Sequence, residues 1–145
     1  MRHPETEAEM VELEDLCVNN LHDNPRYIIY NVTRDNIRQE LLQHRAFDLK
    51  HKARTCIFDK PTGKLIMGYR LLRETAYQQG IKEIQSIPAY TLVNKQVRYL
   101  NNIAIQQFPE VFRDPAVMAR STWACVDRTY RGKGVGNFSM NMMVA

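Results

Sequence analysis

The residues best placed for chemistry lie in one stretch, Cys125-Val126-Asp127-Arg128-Thr129-Tyr130-Arg131-Gly132-Lys133-Gly134-Val135-Gly136-Asn137. Trp123, Cys125 and Val126 give it a β-prone, apolar start. Gly132, Gly134 and Gly136 then fall within five residues. After Gly136, Phe138, Ser139, Met140, Met142, Met143 and Ala145 read as a helix. The amides of a first helical turn lack internal partners and carry the positive end of the dipole. A glycine turn feeding such an end is a cradle for phosphate or pyrophosphate. Arg131 and Lys133 add two cations.

The residue after the last glycine narrows the type of cradle. Asn137 stands where a nucleotide-hydrolysing loop needs Lys and then Ser or Thr. The alternate glycines also miss the Gly-x-Gly-x-x-Gly spacing of dinucleotide folds. Two readings remain open on these residues alone: an anion cradle, and a glycine-rich connector between strand and helix.

The run Arg131-Gly132-Lys133-Gly134-Val135-Gly136 after a strand ending at Val126-Asp127 resembles the pyrophosphate loop of the Gcn5-related N-acetyltransferase (GNAT) superfamily. A second point of resemblance is the hairpin ending Thr62-Gly63-Lys64, followed by a strand in which Gly68 precedes Tyr69. The string Gly68-Tyr69-Arg70-Leu71-Leu72 is similar to the acyl-chain branch of that fold. That branch includes acyl-homoserine-lactone synthases, ornithine lipid acyltransferases and long-chain N-acyl amino acid synthases.

The resemblance implies an α/β fold, a mixed sheet of about four strands with helices on both faces. It implies an N-acyltransferase that moves an acyl group from acetyl-coenzyme A or a longer acyl thioester, on coenzyme A or on acyl carrier protein, to an amine. The residues implied at the cofactor are Cys125, Val126, Arg131, Gly132, Lys133, Gly134, Val135, Gly136 and Asn137. Strand amides near Cys125 and Val126 would serve the thioester carbonyl.

The chemistry also needs a group that frees the amine of its proton. Some family members place a Glu in the first half of the cradle strand, where Ser121 stands here. The Glu and Arg expected of lactone synthases are not matched by Arg120-Ser121-Thr122-Trp123-Ala124. Ser121 and Cys125 are left as catalytic candidates. Cys125 has no His near it in sequence, and a buried structural cysteine is the stronger reading. His3, His22, His44 and His51 are in no motif and read as surface residues.

The supporting elements can be read in chain order. Residues 4–18 form a helix with Met10, Leu13 and Cys17 on one face and an acidic outer face. Tyr27–Val32 reads as a strand, and Thr33 caps the next helix, with Ile37, Leu41 and Leu42 inward. Residues 44–52 have no clean period and read as loop, with room for one helical turn. Arg54–Phe58 and Leu65–Leu72 form a hairpin around Pro61 and Gly63. A strand-internal glycine such as Gly68 marks a bulge or a close backbone approach. Residues 76–86 and 91–107 are helix-like, broken by Gly80 and Pro88. Tyr90, just before the second of them, and Leu92, Val93, Val97, Leu100, Ile103 and Ile105 along it read as core, with an acyl pocket as the alternative. The cradle strand is Ala119–Asp127, and the helix after it starts at Gly134.

The chain of 145 residues is 44% hydrophobic and 25% charged, with a mean hydropathy of -0.46. That composition fits one folded domain. The division expected is an acidic helix and linker over 1–25 and the acyltransferase-like domain over 26–145. No apolar run is long enough to span a bilayer. The three cysteines, Cys17, Cys56 and Cys125, show neither metal-ligand spacing nor a disulfide framework, which fits the cytoplasm. Residues 1–16 hold six acids against one Arg. Removing them from the chain's 20 basic and 16 acidic residues leaves 19 and 10 over 17–145. That surplus favours an anionic ligand or an acidic carrier protein. It is scattered, which argues against nucleic acid.

The helix after the cradle reaches Ala145, whereas the full fold of the resembled family continues for another third. The sheet is therefore expected to be incomplete at its C-terminal side, completed by a second copy, a partner chain or further sequence. A non-catalytic structural or interaction protein on the same scaffold is the alternative function.

Overall fold

The computed structural model describes residues 1–110, 112–114 and 118–136. It has a mixed α/β architecture. The elements in order are α1 (Glu7–Leu21), α2 (Pro25–Ile29), α3 (Arg34–Lys50), β1 (Arg54–Phe58), β2 (Leu65–Arg73), α4 (Glu74–Glu83), α5 (Thr91–Gln107) and β3 (Ala119–Val126). Single 3₁₀ turns precede α5 and follow β3, at Pro88–Tyr90 and Arg128–Tyr130.

The sheet order is β1-β2-β3, with both pairs antiparallel. The expected mixed sheet of about four strands is thus replaced, among the described residues, by three antiparallel strands. The helical connection returns the chain to the same end of the sheet, with Ala119 opposite Arg73, so β3 pairs antiparallel with β2 and no parallel crossover arises. Arg2 adds one antiparallel bridge to Cys56 on the outer side of β1. The described helices gather on one face of the sheet rather than both. The other face buries Ile57, Met67 and Tyr69 against Tyr130 and Val135.

The main core lies under α1. Leu13, Leu16, Cys17, Val18 and Leu21 pack with Cys56, Leu65 and Cys125 of the sheet, Ile37 and Leu41 of α3, and Tyr90 and Val93. The face Met10-Leu13-Cys17 expected from helical spacing is therefore buried. Gly68 permits it. A Cβ there would stand 2.1 Å from Leu13 Cδ1, a distance that carbon atoms do not tolerate. The close-approach reading of this glycine holds; the sheet's register shifts lie elsewhere, at Ile57/Phe58 and Arg70/Leu71.

Three local expectations are corrected. Tyr27–Val32 is not a strand. Asn24 caps the Arg26 amide at 3.0 Å and Pro25 takes the first helical position, so a short helix wins over β propensity. Residues 44–50 continue α3 rather than forming a loop. Their period is obscured because Asp48, a charged residue, faces inward. Gly80 does not break α4; a Cβ there would lie 3.3 Å from the Phe47 ring, so the glycine lets α4 approach α3.

A buried ion network ties these layers together. Arg54 and Asp48 are each 1% exposed and Glu14 is 2% exposed. Arg54 donates to Asp48 Oδ2 at 2.7 Å, to Glu14 Oε1 at 2.7 Å and to the Leu41 carbonyl at 2.5 Å. Arg70 donates to Asp48 Oδ1 at 2.8 Å and to Thr122 Oγ1 at 3.3 Å. Arg45 closes the set on Glu14. The acidic outer face expected for the first helix is thus incomplete, since Glu14 points inward.

Candidate functional site

The glycine turn sits at the end of β3, and three anchors hold it. Asp127 caps the 3₁₀ turn by accepting from the Thr129 amide at 2.8 Å and from Thr129 Oγ1 at 2.6 Å. It also pairs with Lys64 Nζ at 2.8 Å, which fixes the turn to the β1–β2 hairpin. The Lys64 and Thr129 bonds hold the Asp127 carboxyl down to about 2. On the sheet's second face Tyr130 and Val135 pack against the Met67 cluster, and Tyr130 Oη donates to Asp59 Oδ2 at 3.2 Å.

The third anchor is the end of α1. Arg128 donates to Asp23 Oδ2 at 2.8 Å. Arg131 donates to Asp23 at 3.4 Å and to the Asn20 carbonyl at 3.0 Å. Burial alone would raise the Asp23 pKa, but the Arg131 hydrogen bond and the two guanidinium charges outweigh it and lower the value. Arg131, expected as a free cation at the cradle, is thus a tether between β3's exit and α1. Lys133 keeps its exposure, with Nζ 5.1 Å from the Tyr130 ring centroid.

Within the turn Gly132 has φ +75° and Gly134 φ +80°. Both lie in the left-handed region that side chains resist. Both are exposed, and a Cβ at either would meet no described atom within 4 Å. The backbone passes directly into helical turn at Val135 and Gly136. The order of strand, glycine turn and helix start therefore matches the expectation. Asn137 and the rest of the expected helix lie outside the described residues.

Strand alternation sorts the two amides expected at a thioester carbonyl. The Asp127 amide donates to the Ile66 carbonyl at 2.8 Å, so alternate residues, including Cys125, face β2. Val126 therefore turns its amide and carbonyl to the outer edge. Its carbonyl accepts from Arg131 Nε at 3.3 Å. Cys125's amide is committed to the sheet, so of this pair the Val126 amide alone faces outward.

The catalytic candidates separate as well. Cys125 is 4% exposed, and its Sγ lies 3.3 Å from Cys17 Sγ. Burial pushes the Cys17 thiol far up and the Cys56 thiol up to about 12. Cys125 has neither a base nor access, and it serves as a core hydrophobe. Ser121 is exposed in the first half of β3. The residues 125–136 are thus brought together, whereas Ser121 is apart from them along the strand.

Sequence reading missed two features. None of the histidines is buried, but two make bonds that the sequence does not show: His44 links Glu40 Oε1 at 3.2 Å to Arg70 Nη2 at 3.3 Å, and His3 Nδ1 lies 2.8 Å from the Arg54 carbonyl. The second is a pair of concavities. A polar recess of about 300 Å³ beside the glycine turn is lined by Asn19, Asn20, Arg34, Asp127 and Arg128. A larger cavity of about 700 Å³ lies under the N-terminal segment, walled by Met1, Met10, Leu49, Arg54, Tyr69 and Leu71 among others. No predicted site residue lines the larger one. Among the described residues no cluster of His, Cys, Asp and Glu has the makings of a metal site.

Compared with known proteins, the chain matches no family model and no curated protein.

Proposed function

We propose that the chain is an N-acyltransferase that moves an acyl group from a coenzyme A or acyl-carrier-protein thioester to an amine. One observation carries this reading. β3 runs into an exposed turn with Gly132 and Gly134 at positive φ, and that turn enters a helix start. Such a turn can present backbone amides to one anion, although the Lys133 amide here donates to the Tyr130 carbonyl at 3.4 Å. The recess beside it supports the same reading in part: Arg34, Asn19 and Asn20 supply donors, while Arg128 is paired with Asp23 and Asp127 adds a carboxylate.

In this reading the pyrophosphate accepts from the turn amides, and Lys133 adds charge from solvent. The thioester lies along the open edge of β3, where the Val126 amide donates to its carbonyl oxygen. A neutral amine attacks the carbonyl carbon. The oxyanion that forms is stabilised by the same amide. Collapse of the tetrahedral adduct breaks the carbon–sulfur bond, and the thiolate leaves with the proton shed by the amine. A second copy or partner chain that completes the sheet on this edge would have to leave the β3 edge open at Val126. A cytoplasmic setting suits three free thiols in the core.

Asp23 favours a second reading. It already neutralises Arg128 and Arg131, as it would in a non-catalytic scaffold that keeps the turn for structure. The two are separated by turnover. The chain is mixed with acetyl- and longer acyl-coenzyme A and a panel of amines, and free thiol is followed. Release above the uncatalysed rate, lost in Gly134→Asp, supports the transferase. A chain that binds coenzyme A yet releases no thiol with any pair supports the scaffold.

A further inference from the structure

Two thiols meet where α1 packs on β3. Cys17 Sγ and Cys125 Sγ lie 3.3 Å apart, and both residues are buried. A disulfide needs about 2.05 Å between its sulfurs, so a shift of roughly an ångström would link them. Register sets the third thiol apart from Cys125. Cys56 pairs with Gly68, and Gly68 with Cys125, so the three residues form one row across the α1 face of the sheet. β2 therefore stands between Cys56 and Cys125 and holds their Cα atoms about 10 Å apart, two strand spacings and beyond the ~7 Å reach of a disulfide. Leu13 fills the space over Gly68 in the middle of that row.

The same two segments anchor the glycine turn. Three residues after Cys17, the Asn20 carbonyl accepts from Arg131. Asp23 accepts from Arg128 and Arg131. Both guanidinium groups are exposed, so these tethers are weak and screened by salt. A bond between Cys17 and Cys125 would join α1 to β3 without that weakness.

We propose that Cys17 and Cys125 form a dithiol that a peroxide oxidises reversibly to a disulfide, clamping the end of α1 to β3. This inference does not depend on acyl transfer. One sulfur takes an oxygen atom from hydrogen peroxide and becomes a sulfenic acid, releasing water. The other sulfur attacks it and gives up its proton, and the oxygen leaves as a second water while the S–S bond forms. Two electrons pass from the thiols to the peroxide. Burial slows the first step, since it pushes the Cys17 thiol far up. Oxidation therefore waits on a local opening that admits peroxide, and reclosure returns the sulfenic acid to its partner.

The test treats the full folded chain with hydrogen peroxide, unfolds it in urea without reductant and counts thiols. The count should fall from the three of the reduced chain to one, with Cys56 remaining. Peptide mapping should join Cys17 to Cys125 within one chain. Dithiothreitol should then lower the urea midpoint of the oxidised chain by about 1 M. Cys17→Ala and Cys125→Ala should each keep their two other thiols after the same treatment and show no midpoint change on reduction. The wild-type count and map need no variant to fold. Three free thiols after treatment, unlinked sulfinic acid, a bond that includes Cys56 or joins two chains, or a midpoint unmoved by reduction would each overturn the proposal.

Discussion

Leu13 of α1 fills the space beside the backbone of Gly68 in β2, at a place where a Cβ would stand 2.1 Å from Leu13 Cδ1. This contact sets how closely α1 approaches the sheet, and Cys17 then meets Cys125 one helical turn along. Leu13 has no solvent-exposed surface, so it cannot swing out to admit a methyl group. Gly68→Ala should destabilise the chain by ~1–3 kcal/mol through overpacking. The double variant Gly68→Ala with Leu13→Ala should cost less than the sum of the two singles, because the new methyl enters the space that Leu13 vacates. Urea denaturation of the four proteins checks this; additive losses would show that the two side chains do not compete for one space.

Arg54 joins Glu14, Asp48 and the Leu41 carbonyl at a site 1% exposed. Removing it leaves two carboxylates buried with fewer partners. Arg54→Ala should therefore cost ~3–5 kcal/mol. Arg54→Lys should also destabilise, because one ammonium cannot reproduce a fork that spans α1, α3 and β1. The urea midpoint should fall with an unchanged slope. A loss below about 1 kcal/mol for Arg54→Ala, within the range of an exposed pair, would contradict this assignment.

The three thiols should be silent in the native state. Cys17, Cys56 and Cys125 are buried, and burial raises the Cys17 and Cys56 thiols well away from neutral pH. A colorimetric thiol reagent at neutral pH should label none rapidly and all three after denaturation. Rapid labelling of Cys125 alone in the folded chain would restore it as a nucleophile candidate.

Asp127 ties the glycine turn to Lys64 and Thr129, and these bonds hold its carboxyl at about 2. The value is depressed from an unfolded one of about 4. The stabilisation is thus complete above about pH 4 and is lost as pH falls through about 2. The Thr129 amide, which donates to Asp127, should report this step by NMR with a midpoint near 2. Lys64→Gln should move that midpoint upward. A Thr129 shift that titrates at about 4, the unperturbed carboxylate range, in the wild-type chain would mean that the anchor does not hold.

The parts of this molecule that are legible in the sequence are those set by local pattern. The hairpin, the capped helix at Thr33, the 91–107 helix and the cradle strand each carry their own period or turn residues. Tyr27–Val32 misleads because its β propensity masks the Asn24-Pro25 helix start. Glu14 and Asp48 hide their direction in a different way. A charged residue reads as a surface residue unless its partners are known, and Arg54 and Arg70 lie far along the chain. Glu14 does leave a signal, since it stands four residues after Met10 and three before Cys17, on the apolar side. The exposure of α5, where Leu92 and Leu100 face solvent, is not legible at all. Its apolar side has the spacing of a core helix, and only its position relative to the sheet shows that most of it packs on nothing described.

The central claim is that the turn at 132–136 binds the pyrophosphate of an acyl thioester cofactor. Calorimetric titration with coenzyme A tests it most directly, comparing the wild-type chain with Gly134→Asp. Gly134 is exposed and a Cβ there meets no described atom, so the strain of a side chain at φ +80° should stay within the turn and circular dichroism should show the variant folded. The account predicts saturable binding by the wild-type chain and at least a tenfold loss in the variant, the equivalent of ~1.4 kcal/mol. No binding by the folded wild-type chain, or undiminished binding by the variant, would contradict it.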